Sequence, residues 1–362
     1  MFHVKHRLAG LLVLTALFAT GCAAIQSPEG WAAPVEVGGR MIVQSASGQV
    51  SLVDPANGQV AWVYPADDSR DRALYATPII DGDTVYLADY SGRVTRLGAG
   101  GSAPQTAWET ELGAHVVATP AYADGLLYVP TADGRVVVIE TEAGLVTSTI
   151  QTADRRIWGA PVLRGGTIYI GDLDNGQTVA LDAESGEPIW QQEISGPTAA
   201  DLVLDGGLLL AGAFDQRLHA LDVANNGEER WAFQGKGWFL GRPVVDSGVV
   251  YAATMSGYVY AIDRETGAQI WAVEVDDAQF RAAPAIQGNS LIVVARDGRV
   301  LSLSTANGNI AWEQDATTEG NVNANPLIIG TDIYLVTSRH ELVRVDASRS
   351  GAFQTVPLTA VR

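Results

Sequence analysis

The sequence predicts an all-β protein, an eight-bladed β-propeller with four antiparallel strands per blade. A proline recurs at a nearly fixed interval. Pro34, Pro78, Pro120, Pro161, Pro243, Pro284 and Pro326 are separated by 44, 42, 41, 82, 41 and 42 residues, with the skipped beat assigned to Asp201. A tryptophan marker runs in phase with it at Trp62, Trp108, Trp190, Trp231, Trp271 and Trp312. Between markers lie short apolar runs, with no stretch longer than ten residues showing helical periodicity. A repeat near 41 residues holding four such runs fits a propeller blade.

The sixth copy shows the elements in order. RPVVDSG (Arg242–Gly248) is a short strand ending in a turn, and VVYAATMSG (Val249–Gly257) a second strand and turn. YVYAIDRETG (Tyr258–Gly267) alternates before a turn opened by Asp263, and AQIWAVEV (Ala268–Val275) is the fourth strand. Runs of β-branched and aromatic residues punctuated by Gly, Asp, Asn and Ser read as hairpin-linked strands.

The turn between strands three and four is the most regular feature: DPANGQVAW (54–62), DAESGEPIW (182–190), DRETGAQIW (263–271) and STANGNIAW (304–312), with Asn226 a one-residue insertion in the fifth copy. Glycine supplies positive φ and Asp accepts from the amides ahead of it. The tryptophan four residues after the glycine is placed to lie across a neighbouring blade. Burying an indole removes roughly 150–250 Å² from water, an upper bound of ~4–6 kcal/mol per blade. Two residues before each proline position the sequence holds Ala32, Ala76, Ala118, Gly159, Ala199, Gly241, Ala282 and Ala324, the small residues expected where inner strands converge on the axis. Copies two, three and eight lack parts of the turn pattern. The ring closes either by contact between first and last blades, the last having its own fourth strand at 353–358, or by residues 24–33 adding a strand to the last blade.

Residues 1–22 are read as a lipoprotein-type signal peptide. Lys5, His6 and Arg7 precede an apolar stretch, Leu8–Phe18, of signal-peptide length. It ends at Ala19-Thr20-Gly21-Cys22, resembling a bacterial lipobox. Cys22 is the sole cysteine, so no intramolecular disulfide can form, and a lone thiol there reads as a lipid attachment point. The alternative is secretion with cleavage nearby. Residues 23–30 make a short tether reaching at most ~28 Å, and 31–362 form one propeller. The expected location is extracytoplasmic and membrane-anchored, on the periplasmic side of the outer membrane in a two-membrane cell.

The formal charge is −18, and −20 without Lys5 and Arg7. So acidic a chain is unsuited to nucleic acid, whose recognition depends on phosphate neutralisation. Its basic and aromatic residues concentrate in the long strand-four-to-strand-one loops: Arg72, His115, Arg155, Arg156, Lys236 and Arg281, accompanied by Trp31, Tyr75, Trp158, Trp238 and Phe239. Three residues before the proline positions a varied ring reads Trp31, Tyr75, Val117, Trp158, Thr198, Leu240, Arg281 and Asn323, predicted to surround the mouth of the central channel. Arg and aromatic residues are enriched where proteins bind, so this face is the expected partner or ligand surface. The competing reading pairs the arginines locally with Asp67, Asp68, Asp71, Asp154, Asp276 and Asp277, to little effect.

No catalytic constellation emerges. His115, His219 and His340 fall in different copies without metal-ligand spacing, and no GxSxG, P-loop or dinucleotide motif is present. No catalytic residue, metal site or cofactor is expected.

The DRETGAQIW and DAESGEPIW turns, with APVLRGGTIYIGDLDNGQTVALD (160–182), resemble the pyrroloquinoline-quinone (PQQ) propeller repeat over about 325 residues. One branch of that family comprises quinone-dependent dehydrogenases, many with an adjacent-cysteine disulfide and a calcium ligand set; neither can be matched here. The other is non-catalytic lipoproteins of the BamB type, which the leader, Cys22 and eight repeats resemble more closely. That resemblance implies a monomeric, lipid-anchored scaffold binding envelope or membrane proteins, among them the β-barrel assembly machinery. Two alternatives stay open: a quinone-dependent dehydrogenase, and a binder of saccharide or cell-wall ligands with Trp158 or Trp238 as stacking platform.

Overall fold

Four-stranded antiparallel sheets recur eight times in chain order, each with its strands in sequence order. The computed structural model describes residues 30–44, 48–66, 72–152, 155–316, 320–349 and 352–356. The blades span 35–64, 79–111, 121–151, 162–193, 203–234, 244–274, 285–315 and 327–356. The predicted eight-bladed propeller is therefore the fold. Blade six holds its four strands where the sequence placed them, at Val244–Asp246, Val249–Ala253, Tyr258–Asp263 and Gln269–Glu274. Its second and third strands are almost wholly buried, whereas the fourth alternates toward solvent. The core is thus a ring of interfaces between facing sheets. One of its clusters joins Tyr251, Val259 and Trp271 of blade six to Leu291, Val293 and Leu301 of blade seven.

The tight turns weld neighbouring blades. The Trp108 indole N–H donates to the Thr141 carbonyl at 2.9 Å, Trp231 to Arg264 at 2.9 Å, and Trp271 to Thr305 at 3.0 Å, each acceptor lying in the next blade's turn. Each ring lies against that turn's glycine. A Cβ on Gly267 would sit 2.7 Å from the Trp231 ring, and one on Gly308 2.8 Å from Trp271. Both glycines have positive φ, so they serve the turn and the packing together. Trp62, Trp190, Trp231 and Trp271 are buried and Trp108 and Trp312 half-buried. The third copy keeps its turn: Glu140 replaces Asp and accepts from the amides of Glu142 and Ala143. The second copy does not, and the Trp62 N–H facing it has no partner among the described residues.

The small column forms the crowded inner rim. A Cβ on Gly241 would lie 2.6 Å from the Ala282 carbonyl oxygen, and one on Gly159 would strike the Ala200 carbonyl. That contact corrects one assignment. Blade five begins at Val203, so the missing proline slot is Leu202, not Asp201, and the small residue is buried Ala200, not Ala199.

Closure follows the simpler route. The last blade carries its own fourth strand at Ala352–Val356. Met41, Val43, Val53 and Val60 of the first blade pack on Tyr334, Val336, Leu342 and Val356 of the last. The Tyr334 hydroxyl donates to the Pro55 carbonyl at 3.2 Å. The leader, Cys22 and most of the tether fall outside the described residues.

Candidate ligand and partner face

The long loops are clamped by a bond that repeats with the blades. In blades two to eight, an amide of the strand-two-to-three turn donates to a carbonyl of the preceding strand-four-to-one loop: Tyr90 to Ala73, Ala132 to His115, Leu173 to Arg156, Phe214 to Pro197, Met255 to Trp238, Arg296 to Gln279 and Ser338 to Asn321. Donor and acceptor are always 17 residues apart. Both loop families therefore share one face, with the tight turns on the other, as predicted.

Four of the predicted residues join in one aromatic run. The Arg281 guanidinium lies 4.2 Å over the Trp31 ring, Trp31 meets Tyr75 edge-on at 4.3 Å, and Tyr75 meets Tyr90 at 5.2 Å. Tyr90 stacks flat on His115 at 4.2 Å, and its carbonyl faces the His115 Nδ1 at 2.6 Å. A second group forms around Trp238, which meets Phe214 at 5.1 Å. Nearby, the Lys236 ammonium donates to the Tyr258 hydroxyl at 2.8 Å. Trp158 and Trp238 leave 47% and 46% of their surface in solvent, unlike any buried repeat tryptophan. Tyr90 and Phe214 were missed by sequence reasoning. Their signal was an aromatic at a turn position that the other copies fill with Ala132, Leu173, Met255, Arg296 and Ser338.

Other predicted residues turn inward. Phe239 is fully buried among Leu210, Trp231 and Tyr260, contrary to its expected place on the surface. Arg72 is strapped into its blade, with Nε 2.9 Å from Asp89 and Nη2 3.3 Å from Glu109. Burial opposes its charge, but the bonds to Asp89 and Tyr64 outweigh that and raise its pKa. Arg155 donates to the Thr152 carbonyl at 2.6 Å and to Gln191 at 2.8 Å, beside the buried Asp172 carboxylate at 3.9 Å. Arg156 alone of the three keeps over half its side chain in solvent. Its Nε donates to Asp174 at 2.7 Å and holds that carboxyl below its ordinary range. Among the described residues the acids they meet belong to the turns and outer strands. Asp67, Asp68, Asp71 and Asp154 lie outside the described residues.

The face surrounds a channel with a cavity of about 160 Å³. The predicted mouth ring lines it, from Trp31 and Tyr75 through Trp158 to Arg281 and Asn323, with Ala199 replacing the expected Thr198, which is buried. Two residues further along each copy runs a polar ring that sequence reasoning did not single out: Thr77, Thr119, Asp201, Arg242 and Asn325. Its side chains cross-link blades. The Ala33 amide donates to Thr77 Oγ1 at 3.4 Å, Thr77 to Thr119 Oγ1 at 2.9 Å, Ala160 to Asp201 Oδ1 at 2.7 Å and Ala283 to Asn325 Oδ1 at 2.7 Å.

A calcium-held quinone does not fit these residues. The cavity is smaller than the roughly 300–1,000 Å³ of sites for drug-sized ligands. Among the described residues no group of three or more His, Cys, Asp or Glu is placed to hold a metal. His219 is enclosed in the core, its two ring nitrogens 3.1 and 3.0 Å from Glu229 and Asp215, and it faces no channel.

Comparison with known proteins agrees with this geometry. The family model described as outer membrane protein assembly factor BamB matches residues 22–106, 147–238 and 215–355. The chain is 30% identical over 123 residues to the BamB of Yersinia pestis and 25% identical over 168 residues to that of Burkholderia pseudomallei, covering 33% and 45% of this chain. The aligned stretches span 30% and 42% of those relatives' own length. A match of 94 residues at 30% identity to a Pseudomonas putida quinohemoprotein alcohol dehydrogenase covers 22% of this chain and 13% of that enzyme. Among solved structures, BamB from Moraxella catarrhalis superposes with a TM-score of 0.71 at 22% identity, covering 86% of this chain and 92% of that one. The computationally designed protein Ika8 reaches 0.74 at 16% identity over 87% of this chain and 97% of its own. At these identities the structural likeness speaks for the fold alone.

Proposed function

The chain belongs to the BamB family of outer membrane protein assembly factors, and on that premise we propose that it is a non-catalytic, monomeric propeller scaffold that docks other envelope proteins on its long-loop face. The observation that carries this reading is the pair of solvent-exposed tryptophans, Trp158 and Trp238, on the face that also holds Arg156 and Lys236. Large rings left in water on rigidly clamped loops match the anchor residues of protein interfaces. The partner class follows from the family: membrane proteins of the β-barrel assembly machinery. Cys22 is the proposed lipid attachment point, holding the wheel close to the membrane on the extracytoplasmic side.

The test is affinity capture from membranes with the full-length lipidated chain. Wild type is expected to retain subunits of the outer-membrane assembly machinery, and Trp158→Ala with Trp238→Ala to lose them without loss of folding. Equal capture by the double variant would contradict the docking face. Cys22→Ser should release the protein from the membrane fraction; a chain that stays membrane-bound would contradict the anchor.

A further inference from the structure

Along one arc the channel is lined by Arg242, Arg281, Asn323 and Asn325. Asn323 Oδ1 accepts from Arg296 Nε at 3.1 Å, and Asn325 Oδ1 accepts from the Ala283 amide at 2.7 Å. Each carbonyl oxygen thus already accepts one bond from the protein, while the NH₂ group of each side chain remains a two-hydrogen donor. Arg281, of the preceding blade, reaches past these positions to set its guanidinium 4.2 Å over the Trp31 ring, and no carboxylate lies within ion-pair distance of it among the described residues. Arg242 of the adjacent blade also lines the cavity, with no ion pair to a carboxylate among the described residues. Burial, with Arg296 behind it, draws the Arg281 pKa below its ordinary value, the direction expected of a cation short of compensating charge. The single carboxylate of the lining is Asp201, one blade from Arg242 and three from Asn325, and its Oδ1 accepts from the Ala160 amide. Two guanidiniums and two side-chain amides thus line consecutive blades of the channel in a chain whose net charge is −18.

We propose that the channel mouth is a binding site for a small carboxylate-bearing anion, held by Arg281, Arg242 and the amides of Asn323 and Asn325. Planar guanidinium and amide donors match the planar carboxylate, and Arg engages it through two parallel N–H bonds. The cavity of about 160 Å³ exceeds what a single water needs and admits a small carboxylate. Leu240 and the Trp158 ring supply apolar walls for the body of such a ligand. The site rests on the channel geometry alone and stands or falls separately from the docking of a protein partner.

The experiment is calorimetric titration of the purified chain with succinate and with citrate, against sodium chloride at matched ionic strength. Saturable binding at one site is expected, weakened at least tenfold in Arg281→Gln. Arg242→Gln, at an exposed position where folding is not at stake, should weaken it in the same direction. Asp201→Asn keeps an oxygen acceptor for Ala160 but removes the one opposing charge, so it should tighten binding. No saturable heat with either carboxylate would overturn the proposal, as would equal affinity across wild type, Arg242→Gln and Asp201→Asn.

Discussion

The tight-turn face and the long-loop face grow from the same eight repeats, yet they use their side chains in opposite ways. On the turn face nearly every distinctive residue is committed to a neighbouring blade: Trp231 to the Arg264 carbonyl and Gly267, Trp271 to Thr305 and Gly308. On the loop face the backbone is clamped with equal regularity, but the side chains are not repeated, and Trp158 and Trp238 are left in solvent. A repeat protein can therefore vary one face freely because the bonds that close its ring lie elsewhere.

The sharpest test of that contrast compares tryptophans. Trp231→Ala should lower the unfolding free energy by about 3–5 kcal/mol, whereas Trp158→Ala should stay within about 0.5 kcal/mol of wild type, both read by urea melts. Equal costs would erase the distinction between faces. Glycines give the next largest effect. Gly267→Ala places a Cβ against the Trp231 ring at φ +70°, while Gly248→Ala has φ +80° and nothing within 4 Å. Both lose about 1–2 kcal/mol to left-handed backbone, and Gly267→Ala should lose clearly more. Matching midpoints would mean the turn yields to the indole without resistance.

Acid gives a smaller, signed effect. The Thr266 hydroxyl and then the Thr266 and Glu265 amides hold the Asp263 carboxyl below its ordinary value of 3.8. A carboxyl whose folded pKa is depressed contributes stability above its unfolded pKa and loses it as pH falls through the folded one. The stability gap between wild type and Asp263→Asn should therefore narrow as pH drops below about 4, and a gap constant with pH would assign it to packing. Smallest is Arg156→Glu. Its partner Asp174 is at the surface, so the melting temperature should fall little, while capture of the partner is lost. Reversing Arg155 as well would confuse the test, because that guanidinium is built into the loop beside buried Asp172.

Much of this was legible in the sequence because a repeat superimposes its own evidence. The Asp-Gly turns, the tryptophan welds and the small inner column each recur in register, so periodicity alone located them. The register slipped where blade five replaced proline by Leu202, and the neighbouring Asp201 took the marker's place. Phe239 was misplaced for a related reason. Four residues before the proline slots stand Gly30, Leu74, Val116, Ile157, Thr198, Phe239, Phe280 and Val322, every one buried. That column was readable, but a phenylalanine beside exposed Trp238 passed for part of the surface. The inward turn of Arg72 and Arg155 was not readable. Their acids, Asp89 and Asp172, lie 17 residues on in turns whose proximity only the folded loop clamp creates. The donor-lined arc of the channel was hidden likewise, because it depends on which atom of Asn323 and Asn325 is already taken.

The measurement that bears most directly on the two-faced account is site-specific photo-crosslinking in intact membranes. A crosslinking side chain would stand at Trp158 or Trp238 on the loop face, or at Glu184 or Glu265, exposed on the turn face. Adducts to membrane proteins of the assembly machinery are predicted from the loop positions and none from the turn positions. Adducts from the turn face, with the loop face silent, would contradict it.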